Sequence, residues 1–511
     1  MIKMQHGFNG FNGLTRIFLI IKSVKIRLIR LIRVAIFVFL STPLAAQTTL
    51  SLDSCIILAQ SQSAEAKHAL HNYQIANYDY KIYRKSLLPQ IALSGELPMF
   101  NRSISKITMP DGTESFVAQS VGNYSASLSV NQAIPFTGGQ FYVSTGLQRL
   151  DVYQGDVTTS YLANLVNVGI RQPIITYNSY KWQKKIEPVQ YKKAERAYIE
   201  TLENSAIQTV ELYFSLLETQ VSLLLNTQNK ANNDTLLFIA KERFALGKIT
   251  EDELLEVEVN NLNLSIQIDE LQNTLQEQQA ALADFLGLDR RGQIILTLPP
   301  TINMEVNGEK ARQEALANGT MELDHQQRLL EAQSNVARAK SDNGFSLDLY
   351  ASFGLSKSDP LFKNAYRNPL DQEQVTLSFT IPILDWGTAK CKRKRAEVSL
   401  RDVAVIIAQE KLDFQRNLLS TVNRYNLQAY QLQLAERATE LAVKRFEMSK
   451  ERYTGGKIGF LDYSVAQNEK DNSQITYIQA LRKSWQGYYE IRKLTLYDFV
   501  SGSKIEYPVD F

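Results

Sequence analysis

Apolar and polar residues alternate strictly in three stretches of the chain. In residues 346–355, Leu347, Leu349, Ala351, Phe353 and Leu355 share one face, and Ser346, Asp348, Tyr350 and Ser352 share the other. Residues 374–381 set Val375, Leu377, Phe379 and Ile381 against Gln374, Thr376, Ser378 and Thr380. Earlier, Tyr124, Ala126, Leu128 and Val130 alternate with Ser125, Ser127, Ser129 and Asn131. A period of two predicts strands with one apolar and one polar face. Lengths near ten residues suit tilted strands that cross a membrane, although a half-buried soluble sheet would alternate in the same way.

The longest segments carry no such alternation. Residues 47–88, 189–246, 248–286 and 388–454 contain neither Gly nor Pro and are rich in Leu, Ala, Gln, Glu and Lys. These are helix-forming compositions without helix breakers. At about 1.5 Å per residue, 189–246 would extend about 87 Å and 388–454 about 100 Å. Helices of that length imply coiled-coil or helical-barrel packing. Leu434, Ala438, Leu441, Val443 and Phe446 mark an apolar stripe among Glu436, Arg437 and Lys444.

Composition narrows the class. Of 511 residues 44% are hydrophobic, and the mean hydropathy of −0.22 excludes a bundle of transmembrane helices but permits a membrane β-barrel. Two cysteines, Cys55 and Cys391, exclude a disulfide scaffold and a thiolate zinc site. The net charge of +3 conceals an asymmetry. Residues 1–46 hold Lys3, Arg16, Lys22, Lys25, Arg27, Arg30 and Arg33 and no acid, then the apolar run 34–40 and the small pair Ala45-Ala46. That is a signal peptide with cleavage before Gln47, and its seven apolar residues are too few to cross about 30 Å of hydrocarbon. Removing seven cations and no acids from +3 leaves −4, so the basic excess belongs to export and not to a nucleic-acid partner.

Trp182 lies beside Lys181, Lys184 and Lys185, and Trp386 precedes Lys390, Lys392, Arg393, Lys394 and Arg395. Tryptophan with lysine and arginine is the pairing a membrane–water interface favours, so Trp182, Lys184, Lys185, Trp386, Lys392 and Arg393 are candidates for a membrane rim. A solvated helix face is the plainer alternative.

The run Arg243-Phe244-Ala245-Leu246-Gly247-Lys248-Ile249 reappears 209 positions later as Arg452-Tyr453-Thr454-Gly455-Gly456-Lys457-Ile458. In each copy a long helix precedes the motif and another follows it, so the glycines predict an αα-hairpin turn. Each half thus reads helix, strands, long helix, tight turn, helix. The predicted organisation is a signal peptide (1–46), a first repeat (47–287) with an inserted strand hairpin, and an equatorial linker (288–308). A second repeat (309–498) and a C-terminal tail (499–511) complete it.

This order resembles the TolC family of outer-membrane efflux channels over nearly the whole mature chain. The matching features are Leu50-Ser51-Leu52-Asp53-Ser54-Cys55-Ile56, the strand start Leu87-Leu88-Pro89, the duplicated Gly-Lys-Ile turns and the corner Ile383-Leu384-Asp385-Trp386-Gly387. The resemblance implies an α+β membrane protein with an internal two-fold repeat. A long α-helical coiled-coil barrel would stand in the periplasm below a transmembrane β-barrel shared between three protomers. It further implies a homotrimer in outer-membrane lipid, docked to a periplasmic adaptor (a membrane fusion protein) and an inner-membrane pump. Pooling of strands also follows from physics, because a few strands with open edges leave backbone groups unpaired in lipid. Strands at 89–98 and 162–173 would suffice for the first half, yet 124–134 and 140–150, joined by Pro135-Phe136-Thr137-Gly138-Gly139, form a further hairpin. Either four or six barrel strands per chain are permitted. Four are favoured, with the extra hairpin outside or above the barrel.

A passive exit duct needs a pore, a gate and a docking surface but no catalytic group, cofactor or metal. The mature histidines are only His68, His71 and His325, with no HExxH and no phosphate loop. His68 and His71 could share a helix face as ligands, but a solvated pair is the commoner arrangement. Cys55 shares a helical face with Leu52, Ile56 and Ala59 and reads as a packing cysteine. By the resemblance, Tyr453 matches a tyrosine in the links that hold the entrance shut, and Asp462 matches the first aspartate of an entrance ring. The second ring position falls on Val465, which weakens that ring. The turns Leu246-Gly247-Lys248-Ile249-Thr250 and Gly455-Gly456-Lys457-Ile458-Gly459 are the candidates for adaptor docking. The leading reading is a passive outer-membrane exit duct of a tripartite small-molecule efflux system. The channel of a type I protein secretion system, or a periplasmic coiled-coil scaffold, are the alternatives.

Overall fold

The computed structural model describes residues 48–154, 156–289, 293–302 and 304–507; the leader lies outside the described residues. Two long helices, α3 (Ser179–Ala245) and α7 (Thr388–Thr454), have 67 residues each, about 100 Å. Each turns back into a helix of 36 residues, α4 (Glu251–Leu286) and α8 (Phe460–Thr495). The stretch 47–88 is not one helix: Ser63 caps a second one through the Ala66 amide, giving α1 (Leu52–Gln62) and α2 (Ala64–Ser86). Helices α5 (Gly308–Asn318) and α6 (Met321–Ser341) take the same place in the second half. Helix α3 begins ten residues before its predicted start and runs through Pro188. No described helix is long and apolar enough to cross a membrane.

Six strands form one antiparallel sheet: β2 (Gln90–Thr108), β3 (Glu114–Ile134), β4 (Gly139–Gln154), β5 (Asp156–Pro173), β7 (Ser346–Asp359) and β8 (Leu370–Thr380), in that spatial order. The expectation of an extra hairpin set apart from the other strands is corrected, since β3 and β4 lie inside the sheet between β2 and β5. Their own alternation explains why. In register, Val130 faces Val143 and Val143 faces Val168, while Asn131 faces Tyr142 and Ser129 faces Ser144. The hairpin therefore extends the same apolar and polar faces as its neighbours, and excluding it would strand both. Beyond the top of β4, residues 102–120 continue as a two-stranded ribbon of β2 and β3 alone.

The core sits at mid-height, where helix ends meet the middles of the long helices. Leu52, Cys55, Ile56 and Ala59 of α1 meet Leu282, Ala283 and Leu286 of α4 against Val210, Tyr213, Phe214 and Leu217 of α3. Burial pushes the Cys55 thiol up to about 12, in keeping with a packing role. A short parallel pair, β1 (Thr48–Leu50) with β6 (Ile294–Leu296), crosses this waist, and the Tyr213 hydroxyl donates to the Thr297 carbonyl at 2.5 Å.

Just above the core, Glu203 is fully buried and accepts a bidentate pair from Arg492, both bonds at 2.9 Å, plus a bond from the Tyr507 hydroxyl. Burial works against the Arg492 charge, but the Glu203 carboxylate more than offsets it and holds the guanidinium protonated beyond its usual range. The arrangement ties α3, α8 and the C-terminal segment together. Replacing Arg492 with Met leaves a buried carboxylate without its cation and should cost about 3–5 kcal/mol. Thermal unfolding followed by circular dichroism checks this, and the double variant with Glu203→Gln should recover much of the loss.

Candidate functional site: helical tips, seams and sheet faces

At the end far from the sheet, the two hairpin turns are built alike. In the first, the Gly247 amide donates to Phe244 and the Lys248 amide to Arg243, both at 2.9 Å, with Gly247 at φ +65°. In the second, Gly456 donates to Tyr453 and Lys457 to Arg452 at the same distances, with Gly456 at φ +70°. This is a left-handed helix stop that a Cβ would strain. A Cβ at either glycine would meet nothing within 4 Å. Leu246, Gly247, Lys248, Thr250, Gly455, Gly456, Lys457 and Gly459 are exposed at these tips, and Thr250 caps α4 by accepting from the Glu253 amide. Ile249 and Ile458 differ: both are half-buried and turned into the tip core.

That core is aromatic. Tyr453, Phe460 and Tyr463 pack with Phe446 of α7 and with Leu236, Ala240 and Val257 of the first hairpin. Tyr453, the candidate gate tyrosine, is buried here, its ring 5.3 Å from that of Tyr463 and 5.9 Å from the Arg243 guanidinium. Arg243 also donates to the Thr454 carbonyl, so one side chain spans the two hairpins. Asp462 is exposed in the first turn of α8, and Val465 is exposed one turn on. The structure thus places Tyr453 at the end of α7 and Asp462 at the start of α8, at the same tip, the one buried and the other exposed.

The seam between α3 and α8 is polar over much of its length. Arg482 of α8 pairs with Glu211 and Glu218 of α3, and Asn229 donates to Asp471 at 2.6 Å. Nearer the tip Asn233 and Gln467 are buried, yet neither amide atom of Asn233 nor Oε1 of Gln467 has a partner. Buried polar groups left unpaired cost free energy, which makes this seam weaker than the apolar contacts within each hairpin. Sequence reasoning passed over this layer, since isolated Asn and Gln on a long helix look like surface positions.

The order of helices leaves two long edges open. In the lower half, α4 lies against α3, α3 against α8 and α8 against α7; in the upper half the order is α2, α3, α6, α7. The outer helices carry exposed apolar residues at heptad spacing: Leu255, Val259, Leu262 and Ile266 on α4, and Leu427, Leu434, Leu441 and Met448 on α7. The stripe expected at 434–446 is therefore split. Phe446, with Leu432 and Ala442, is buried within the chain, whereas Leu434 and Leu441 face outward. The sheet repeats the pattern, with β2 and β8 as unpaired edges.

At the junction of sheet and helices, Trp182 is half-buried with the Lys185 ammonium 5.0 Å from its ring, while Lys184 is exposed. Trp386 is 89% exposed at the corner into α7, where the Asp385 carboxylate accepts from the Gly387 and Ala389 amides. Those amides hold the Asp385 carboxyl below its ordinary range. Lys392 donates to Asn343 and Arg393 is exposed. A second aromatic–cation group, which sequence reasoning missed, stands at the opposite end of the apolar face. Arg149 lies over Tyr124 and Tyr161 and pairs with Asp151, Phe362 adjoins Tyr161, and Tyr366 adjoins Phe362. The signal existed in the alternation, because Tyr124, Arg149 and Tyr161 are direct cross-strand neighbours. His68 bonds only to Asn72, and among the described residues no group of three or more His, Cys, Asp or Glu could hold a metal ion.

The fold is that of bacterial outer-membrane channels. It matches the Campylobacter jejuni CmeC outer membrane channel with a TM-score of 0.62 at 15% identity, covering 87% of this chain and 85% of that one. It matches the outer membrane protein VceC from Vibrio cholerae with a TM-score of 0.62 at 13% identity, covering 89% and 97%. The outer-membrane channel OprN gives 0.61 at 14% identity, covering 87% and 89%. Residues 311–495 match the family of outer membrane efflux proteins, in keeping with the resemblance read from the sequence. No curated protein matches the chain.

The tip core gives a titration test. Burial pushes the Tyr463 phenol up to about 12 from an ordinary 10. A raised folded-state value means the neutral form is favoured by packing, so this stabilisation is fully present below pH 10 and falls as pH rises toward 12. Absorbance of tyrosinate should show this group titrating late, with loss of tip helix signal over the same window.

Proposed function

We propose that the protein is the passive, non-enzymatic exit duct of an outer-membrane efflux system, working as a homotrimer. The observation that carries this reading is the pair of open edges that run the full height of the chain. The apolar heptad of α4 and that of α7, and the bare edges of β2 and β8, are each half of an interface. A cyclic head-to-tail ring closes them, and three copies of such a strip would make a continuous tube. In lipid the closure is compulsory, since an open edge leaves backbone donors and acceptors unpaired. The apolar sheet face turns to lipid and the polar face inward.

The two halves, with equal helix pairs and superposable turns, are read as an internal repeat. Trp182, Lys184, Lys185, Trp386, Lys392 and Arg393 mark the periplasmic rim, and the Arg149 group the outer one. Below the rim the helices stand in the periplasm. Buried Tyr453 holds the second hairpin against the first through Arg243, and the weak polar seam between α3 and α8 lets the hairpins part. Three copies of Asp462 around the axis would draw cations to the entrance. The open tips at Gly247 and Gly456 receive the helical ends of a periplasmic adaptor that links the duct to an inner-membrane pump, because nothing within the chain covers them.

Substitution tests the docking assignment. Gly247→Trp and Gly456→Trp together should leave a heat-modifiable trimer that conducts in planar bilayers, while export by cells falls at least tenfold. Unchanged export removes the tips as the docking surface. A folded protein that neither trimerises nor conducts removes the duct.

A further inference from the structure

Resting on the duct reading, we infer that the β3–β4 hairpin is a wall element, so that three chains build an eighteen-stranded barrel wide enough for bulky hydrophilic cargo. Three observations support it. First, six strands per chain form one sheet in which β3 pairs with β2 over residues 114–131 and with β4 over 121–134, β4 pairs with β5 over 140–154, and the free edges belong to β2 and β8. Closure by the edges therefore has to include all six.

Second, the hairpin's apolar face continues that of the other strands. Val130, Val143, Val168 and Phe353 form one cross-strand row, so a wall without the hairpin would break its lipid-facing band.

Third, the hairpin's polar face matches the lining of the other strands. Ser127, Ser129, Asn131 and Ser144 continue in register into Asn167 and Ser352. The lining is mostly hydroxyl and amide, with Arg171 and Asp348 toward the helical end. A wide barrel lined in this way discriminates little by charge and passes large polar solutes by size. Selection would then fall to the tips.

Thiol labelling tests the wall assignment in the intact trimer. In a Cys391→Ser background, since Cys391 is exposed, single cysteines are placed at Ser129 and Ser144 on the polar face and at Val130 and Val143 on the apolar face. A bulky polyethylene-glycol maleimide should cut single-channel current at Ser129→Cys and Ser144→Cys and leave it unchanged at Val130→Cys and Val143→Cys. Deleting residues 104–155 and joining β2 to β5 through Asn-Gly should reduce the barrel cross-section about twofold, read as a smaller exclusion limit for neutral polymers added at the barrel mouth. A conducting trimer with no block at either serine position, or an unchanged polymer limit in the deletion, overturns the inference. If the deletion does not assemble, the labelling pattern alone decides. A wild-type trimer that passes no current refutes the duct reading instead.

Discussion

Backbone pairing at the edges of the sheet is the constraint on which the rest depends. Strands β2 and β8 present rows of amides and carbonyls with no partner inside the chain. In water such edges would be solvated; in hydrocarbon each unpaired group costs several kcal/mol. In the proposed ring β2 of one copy meets β8 of the next, so the chain beneath them has to bring β2 and β8 to opposite flanks at a fixed width. The long helices do this. Helix α2 leads into β2 and α7 leaves β8, so the same flanks that are bare in the sheet are apolar in the helices.

The apolar waist makes this strip stiff. Helices of about 100 Å are held at their midpoints, with α1 and α4 meeting end to end on α3 and the short β1–β6 pair laid across. The buried Glu203–Arg492 pair adds a polar lock at the same height. Below the waist the contact between hairpins becomes polar and includes unpaired amides, and only the aromatic tip restores an apolar contact. Rigidity is concentrated in the upper half and at mid-height, and the lower half is where the least packing resists motion.

Much of this was legible in the residues. The period of two located β3, β7 and β8, the absence of Gly and Pro located α7 to the residue, and the duplicated Gly-Lys-Ile runs located both turns. Where the reading failed, long-range geometry decided. Nothing near Ser63 marks a break except its own hydroxyl, which looks like any helical serine until it caps α2. Pro188 looked like a boundary, but a proline within the first turns of α3 removes a single ladder bond that a helix of 67 residues can lose. The inward turn of Tyr453, Ile249 and Ile458 depends on how two distant hairpins pack, a matter of tertiary contact and not of local pattern.

The inserted hairpin shows how a local pattern can outweigh an analogy. Alternation at 124–131 was as strict as in any other strand, and an up–down pair preserves the direction of every strand after it. A hairpin with an apolar and a polar face has to bury one of them, and set apart from the other strands it would expose Leu128, Val130 and Val143 to water. That cost, which the alternation by itself did not assign to a place, is avoided by pairing with β2 and β5. In the proposed ring of three, two further strands per chain would add six to the wall and widen the pore for every solute that crosses it.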